Sequence, residues 1–275
     1  MQQNKDQAQH LSEQKSKPNF LFVHGAWQGA WVWDEVIQQL TTQGIFARAF
    51  DLPGSGTDQT PLSNVTLDTY VQAIISQAKS MPLGPLILVG HSMGGAAITA
   101  AASAAPNLFH QLVYLCAFLP RTGESVAALA KEGHTLSGGG PIVELVDAGL
   151  ASRLLPDSIA STFFNDCSPQ TMEQILAQFR PQPIAPVITP VNWSEGFTTL
   201  PKTYIHCTRD NAVSSELQLL MASRANIDDI QTLDSGHEPF ITQPDNVVNI
   251  LLKFAAIHSS HQSAPKFTRP FITKT

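Results

Sequence analysis

Two hydrophobic patterns alternate along the chain. Some runs are apolar at nearly every position: Phe20-Leu21-Phe22-Val23, Leu86-Ile87-Leu88-Val89, and Gln111 to Phe118. Strands covered on both faces give this pattern. Between them lie stretches whose apolar residues recur every three to four positions, the pattern of an amphipathic helix. One such helix is predicted from about Trp31 to Gln43, with Val32, Val36, Ile37 and Leu40 as its apolar face and Gly44 as its stop. A second follows Thr66, its predicted cap, and presents Leu67, Tyr70, Val71, Ile74, Ile75 and Ala78. Ile45 to Asp51 predicts another strand, and an alanine-rich helix is predicted from near Met93 to about Ala105. This order predicts an α/β fold, a mostly parallel central sheet flanked by helices.

The alternation breaks after Leu119-Pro120. From there to about Trp193 the predicted pieces are helical: Ser125–Glu132, Ile142–Leu155, and a helix with Ser168 as N-cap and Pro169 at its first position, running to about Phe179. No strand-like alternation is read in this stretch, and the proline-rich segment Arg180–Trp193 is predicted to be a stiff return strap. The α/β pattern resumes with a strand at Lys202–Cys207 and a helix from Ser215, with Gln218 as the far member of a capping box. An edge strand at Ile227–Leu233 and a helix at Val247–His258 complete it. The predicted organisation is an α/β core (18–120 and 194–258) with an inserted helical cap (121–193). Polar tails are predicted at 1–17 and 259–275.

With 275 residues, 43% of them hydrophobic, the chain can bury one large core. A formal charge of −6 argues against nucleic acid or an anionic membrane as partner. No apolar run reaches the ~18 residues of a membrane span. Met1 to Lys17 has no apolar leader core, so the expected compartment is the cytoplasm, or the periplasm or exterior if a leader was removed before this numbering. Three cysteines, Cys116, Cys167 and Cys207, are too few and too odd for a disulfide framework and are expected as buried free thiols. A monomer or homodimer is expected.

The candidate chemistry centres on Gly90-His91-Ser92-Met93-Gly94, a Gly-x-Ser-x-Gly pattern between an apolar strand and a helix. This is the sequence of a nucleophile elbow, a strained turn that lifts the serine oxygen above the sheet. A serine hydroxyl needs a base. His237, in Asp234-Ser235-Gly236-His237-Glu238, lies in a loop at the carboxyl end of the sheet, where sites of open α/β sheets gather. Asp210, after the Lys202–Cys207 strand, is the candidate acid that orients His237, with Glu124 in reserve. The backbone N–H groups of Met93 and Ala26 are the candidate oxyanion donors. His24 and His91 are read as structural. Gly54-Ser55-Gly56 lacks the rest of a dinucleotide loop. His258-Ser259-Ser260-His261 lacks a third ligand, so no metal and no cofactor is expected.

The elbow, the Val23–Trp33 segment (VHGAWQGAWVW), Phe118-Leu119-Pro120, Cys207–Asp210 and Gly236-His237 together resemble the α/β-hydrolase family. The likeness is nearest to the branch of plant methyl esterases, hydroxynitrile lyases and related bacterial esterases. The resemblance implies an α/β-hydrolase fold with an inserted cap and the triad Ser92, Asp210 and His237. It also implies a carboxylesterase acting through an acyl-enzyme on a small-molecule ester. The lyases of this branch carry a threonine at the position of Gly25 and a lysine at that of Glu238. An anion at 238 is expected to repel a departing cyanide. Lyase activity and non-catalytic ligand binding are the alternatives. Trp27, Phe163, Phe164, Met172, Phe179 and Trp193 are candidate substrate contacts, which points to an apolar or aromatic ester of small to medium size.

Overall fold

The computed structural model describes residues 17–261. The predicted tails fall outside that range except for Lys17 and positions 259–261. In chain order the strands are β1 (Asn19–Val23), β2 (Ala47–Ala49), β3 (Leu86–His91), β4 (Gln111–Leu115), β5 (Val143–Val146), β6 (Ala151–Leu154), β7 (Gln182–Pro183), β8 (Lys202–Cys207) and β9 (Ile230–Leu233). Six of them form the central sheet in the order β2-β1-β3-β4-β8-β9, and every pairing in it is parallel.

The continuous apolar runs have a simple cause. Successive side chains of a strand face opposite ways, and both faces here are covered. Leu21, Val23, Leu88 and Tyr114 pack with the helices Leu67–Lys79 and Gly94–Ala104. Phe20, Phe22, Ile87 and Val89 face the helices Asp34–Thr42 and Pro244–His261, meeting Val36, Leu40, Val247 and Leu251. Every residue of β1, β3 and β4 is buried. Thr66 caps its helix as predicted, with a reciprocal bond to Thr69. β4 is shorter than the apolar run Gln111–Phe118, because Cys116 turns into the left-handed region at φ 35°.

The segment after Pro120 corrects the prediction of an all-helical insertion. Ile142–Leu155 is not a helix. β5 and β6 pair antiparallel, and β7 adds a third strand. Val143, Leu150 and Leu154 can be read at helical spacing, but Asp147, Ala148 and Gly149 all take positive φ and turn the chain into a hairpin. Pairing places Val143 opposite Leu154 and Leu145 opposite Ser152 on one face, while Glu144 meets Arg153 in an ion pair on the other. The return strap likewise contains β7 and a short helix, Ile184–Ile188. Ser168 and Pro169 start a helix as predicted, which ends at Leu176 rather than Phe179. The cap of the helix after β8 is Ser214, not Ser215, and Gln218 turns inward instead of closing a capping box.

Candidate active site

Ser92 stands between β3 and the helix Gly94–Ala104 with φ 52°, in the left-handed region. A side chain there costs of order 1–2 kcal/mol, so the surroundings must hold it. The Ser92 N–H donates to the Leu115 carbonyl, and the Ser92 carbonyl accepts from Phe118. The flanking glycines are steric requirements. A Cβ on Gly90 would lie 2.8 Å from the Gly94 carbonyl oxygen, and one on Gly94 would lie 2.6 Å from that of His24.

The structure brings Ser92, His237 and Asp210 into one series of hydrogen bonds. Ser92 Oγ lies 3.0 Å from His237 Nε2, and His237 Nδ1 lies 2.7 Å from Asp210 Oδ2. The directions follow from the donors: Nδ1–H donates to the carboxylate, leaving Nε2 to accept from the serine. Asp210 also accepts from the N–H groups of Ala212 and Val213 and from Gln218 Nε2. His237 is fully buried, which alone would lower its pKa. The Asp210 charge and hydrogen bond outweigh that and hold it above the ordinary histidine value. Glu124 is bonded instead to Arg121.

The N–H groups of Ala26 and Met93 border the same cavity as Ser92, and among the described residues neither meets an acceptor. Trp27, next to Ala26, also sits at positive φ (62°). The cap holds it there. Its N–H donates to Gln182 Oε1, its indole Nε1 to the Ser152 carbonyl, and its carbonyl accepts from Arg180. His24 braces this turn, donating through Nδ1 to the Gly25 carbonyl and accepting from the Leu52 N–H at Nε2. His91 Nε2–H donates to the His237 carbonyl, which Cys116 Sγ approaches at 3.5 Å. Burial holds His91 well below the usual value, so its ring is neutral. The donor atoms of His91, Cys116 and His237 lie within 4.8 Å of one another. A metal there would have to take a ring nitrogen of His237 from Ser92 or Asp210.

Several residues of this site had no signal in the sequence. Asp166, in the cap, accepts from the Gly236 N–H at 2.6 Å and from Ser235 Oγ. Its neighbour Asn165 donates to the Arg209 carbonyl. One cap turn thus grips both the His237 and the Asp210 loops. Gln218 spans the Asp210 loop, bonding Cys207 on both backbone groups and the Val213 carbonyl. Such polar residues look like surface positions until the fold brings their partners to them.

Glu238 corrects an expectation. It is fully buried and accepts from Gln28 Nε2 at 2.7 Å. Burial pushes its carboxyl up to about 8, so it is mainly protonated at neutral pH. It does not line the cavity over Ser92, and no anion awaits a leaving group there.

That cavity has a volume of about 290 Å³, and Trp27 and Phe163 are among its walls. The other candidate contacts lie elsewhere. Phe164, Met172 and Phe179 pack in a cap cluster with Phe163. Trp193 packs at a tilt against Phe197 and donates to the Pro120 carbonyl. Aromatic composition marked them, but packing within the cap and against the core takes up their faces. A larger, more open hollow of about 790 Å³ touches Asp210 but neither Ser92 nor His237.

The profile of the alpha/beta hydrolase family matches residues 20–250. The chain belongs to this family. It is similar to methylesterase 10 of Arabidopsis thaliana, 27% identical over 265 residues that cover 90% of this chain and 95% of the relative. Methylesterase 1 of the same plant is 29% identical, with 89% of this chain and 98% of the relative covered. Among solved structures, polyneuridine aldehyde esterase superposes with a TM-score of 0.75 at 22% identity, covering 86% of this chain and 99% of that one. Members of the fold present a serine on such an elbow, with acid and base following in the order acid, then histidine. The order here is Ser92, Asp210, His237. Among the described residues of this hydrolase, no helix is long and apolar enough to cross a membrane.

Proposed function

We propose that this hydrolase is a serine carboxylesterase that cleaves a small, largely apolar ester. The observation that carries the reading is the series Ser92–His237–Asp210 at the wall of an apolar cavity. The similarity to methylesterases along nearly the whole chain supports ester cleavage. His237 takes the proton of Ser92 as its oxygen attacks the ester carbonyl. The oxyanion draws on the N–H groups of Ala26 and Met93, which meet no acceptor among the described residues, and the N-terminal end of the helix Gly94–Ala104 adds a favourable dipole. Protonated His237 then gives its proton to the leaving alcohol. A water activated by the same ring hydrolyses the acyl-enzyme. Position 238 carries Glu, not the lysine of the lyases, so no cation serves a cyanide there.

Ser92→Ala tests this reading. Release of p-nitrophenol from p-nitrophenyl acetate is expected to vanish, with an unchanged circular dichroism spectrum. Wild-type rates in the variant overturn the assignment of the nucleophile.

A further inference from the structure

The cavity over Ser92 is lined by Phe118, Val126, Val143, Phe163, Val187 and Val213, among others. Among the described residues that line it none carries a charge, and only Ser92 and Ser152 have a hydroxyl. The Ser92 hydroxyl is engaged by His237. The Trp27 indole N–H is engaged by the Ser152 carbonyl at 3.1 Å. That leaves the Ser152 hydroxyl.

Ser152 lies in β6 and is 3% exposed. Its register places it on the face of the cap sheet shared with Val143 and Leu154, away from the ion-paired face of Glu144 and Arg153. Val143 on that face lines the cavity as well, while Leu145, opposite Ser152, is exposed. The Ser152 backbone serves β5, β7 and the Trp27 indole. Among the described residues its Oγ meets no partner. It is not one of the sealed, unpaired polar atoms of the interior, so it keeps contact with open space. A polar group left open toward a ligand-sized space marks where a ligand atom completes it.

We propose that Ser152 is a specificity-determining residue whose hydroxyl bonds an oxygen or nitrogen on the part of the substrate remote from the scissile ester. The proposal rests on the ester-hydrolysis reading above and names its substrate class: an uncharged ester, apolar over most of its surface, with one hydrogen-bonding substituent. The cavity, about 290 Å³, sits near the lower end of the roughly 300–1,000 Å³ range of small-molecule sites. At about 30 Å³ per water-sized group it takes on the order of ten non-hydrogen atoms, one ring with a short chain. A carboxylate, phosphate or ammonium on that part would find no counter-charge in the lining.

The test uses matched substrates on the full chain. Methyl phenylacetates carrying a ring hydroxyl at the 2-, 3- or 4-position are each compared with the methyl-substituted isostere, in wild type and in Ser152→Ala. For at least one position the kcat/KM ratio of hydroxyl to methyl ester is expected to fall about tenfold in the variant, the scale of one hydrogen bond. Because the readout is a ratio within one protein, partial loss of folded enzyme cancels. If the wild type hydrolyses these esters and no ratio moves by more than twofold, Ser152 is a packing residue and the inference fails alone. If the wild type hydrolyses no ester of the set, nor p-nitrophenyl acetate, the inference falls together with the esterase reading.

Discussion

The sheet core and the segment 121–193 solve different problems with different chemistry. In the core, β1, β3 and β4 are buried throughout, and strained backbone at Ser92 is held by bonds to Leu115 and Phe118 of the neighbouring β4 segment. In the cap, β5 alternates between exposed and half-buried residues, and its sheet has only three strands. The core fixes the reacting atoms. The cap walls the cavity with Val143, Ser152 and Phe163, and steadies the Trp27, Asp210 and His237 loops with Gln182, Asn165 and Asp166. The difference teaches that the core alone holds Ser92, His237 and Asp210, while the cap supplies part of the cavity wall and the outer braces of their loops. Loops carry binding on a rigid scaffold for the same reason.

The largest test of that separation is in the core. Asp210→Asn is expected to lower kcat on the order of 10⁴-fold, by spoiling the tautomer of His237. Stopped-flow or steady-state rates check it, and a loss under tenfold removes Asp210 from the series. The matching change in the cap is Asp166→Ala. It frees the Gly236 N–H and Ser235 Oγ, so His237 loses its outer support. A displacement near 1 Å can cost about 10²-fold in rate, and kcat is expected to fall by up to that factor with KM little changed. A rise in KM alone would place Asp166 among binding groups instead.

A pH profile sharpens the comparison from the core side. The ester-cleaving form needs neutral His237, whose pKa lies above the ordinary value of 6.5 because Asp210 outweighs burial. The acid limb of kcat/KM is therefore expected to have its midpoint above 6.5. A midpoint at or below that value contradicts the assigned coupling.

Glu238→Gln carries the smallest expected effect, and it concerns stability. The folded-state carboxyl titrates near 8 against 4.5 when exposed. A raised folded pKa contributes stability that is complete below the unfolded value and is lost as pH rises through the folded one. The glutamine variant avoids that loss and keeps an amide partner for Gln28. It is expected to have the higher Tm at pH 8, with the gap closing toward pH 5. Equal melting curves at pH 8 would show that Glu238 ionises without cost.

Much of the core was legible because double-sided burial writes itself as unbroken apolar runs. Lys202–Cys207 is β8 residue for residue, and Thr66 and Ser168 are the caps the spacing indicated. The cap hairpin was not legible. Its apolar residues fit a helix until three successive positive φ values at 147–149 turn the chain. Nor did Phe164, Met172, Phe179 and Trp193 reveal that their faces are spent on packing beside the cavity rather than on lining it.

The sequence by itself determined the elbow, because only glycine fits at 90 and 94 and only a strained turn presents Ser92. It also determined the chain order of serine, acid and histidine, since each follows a strand at the carboxyl end of the sheet. Tertiary structure alone decided that Glu238 is buried against Gln28, that Asp166 grips the His237 loop from 70 residues away, and that Ser152 lines the cavity with a hydroxyl that meets no partner among the described residues. Those outcomes depend on which polar groups meet when distant segments pack, and spacing along a chain carries no record of that meeting.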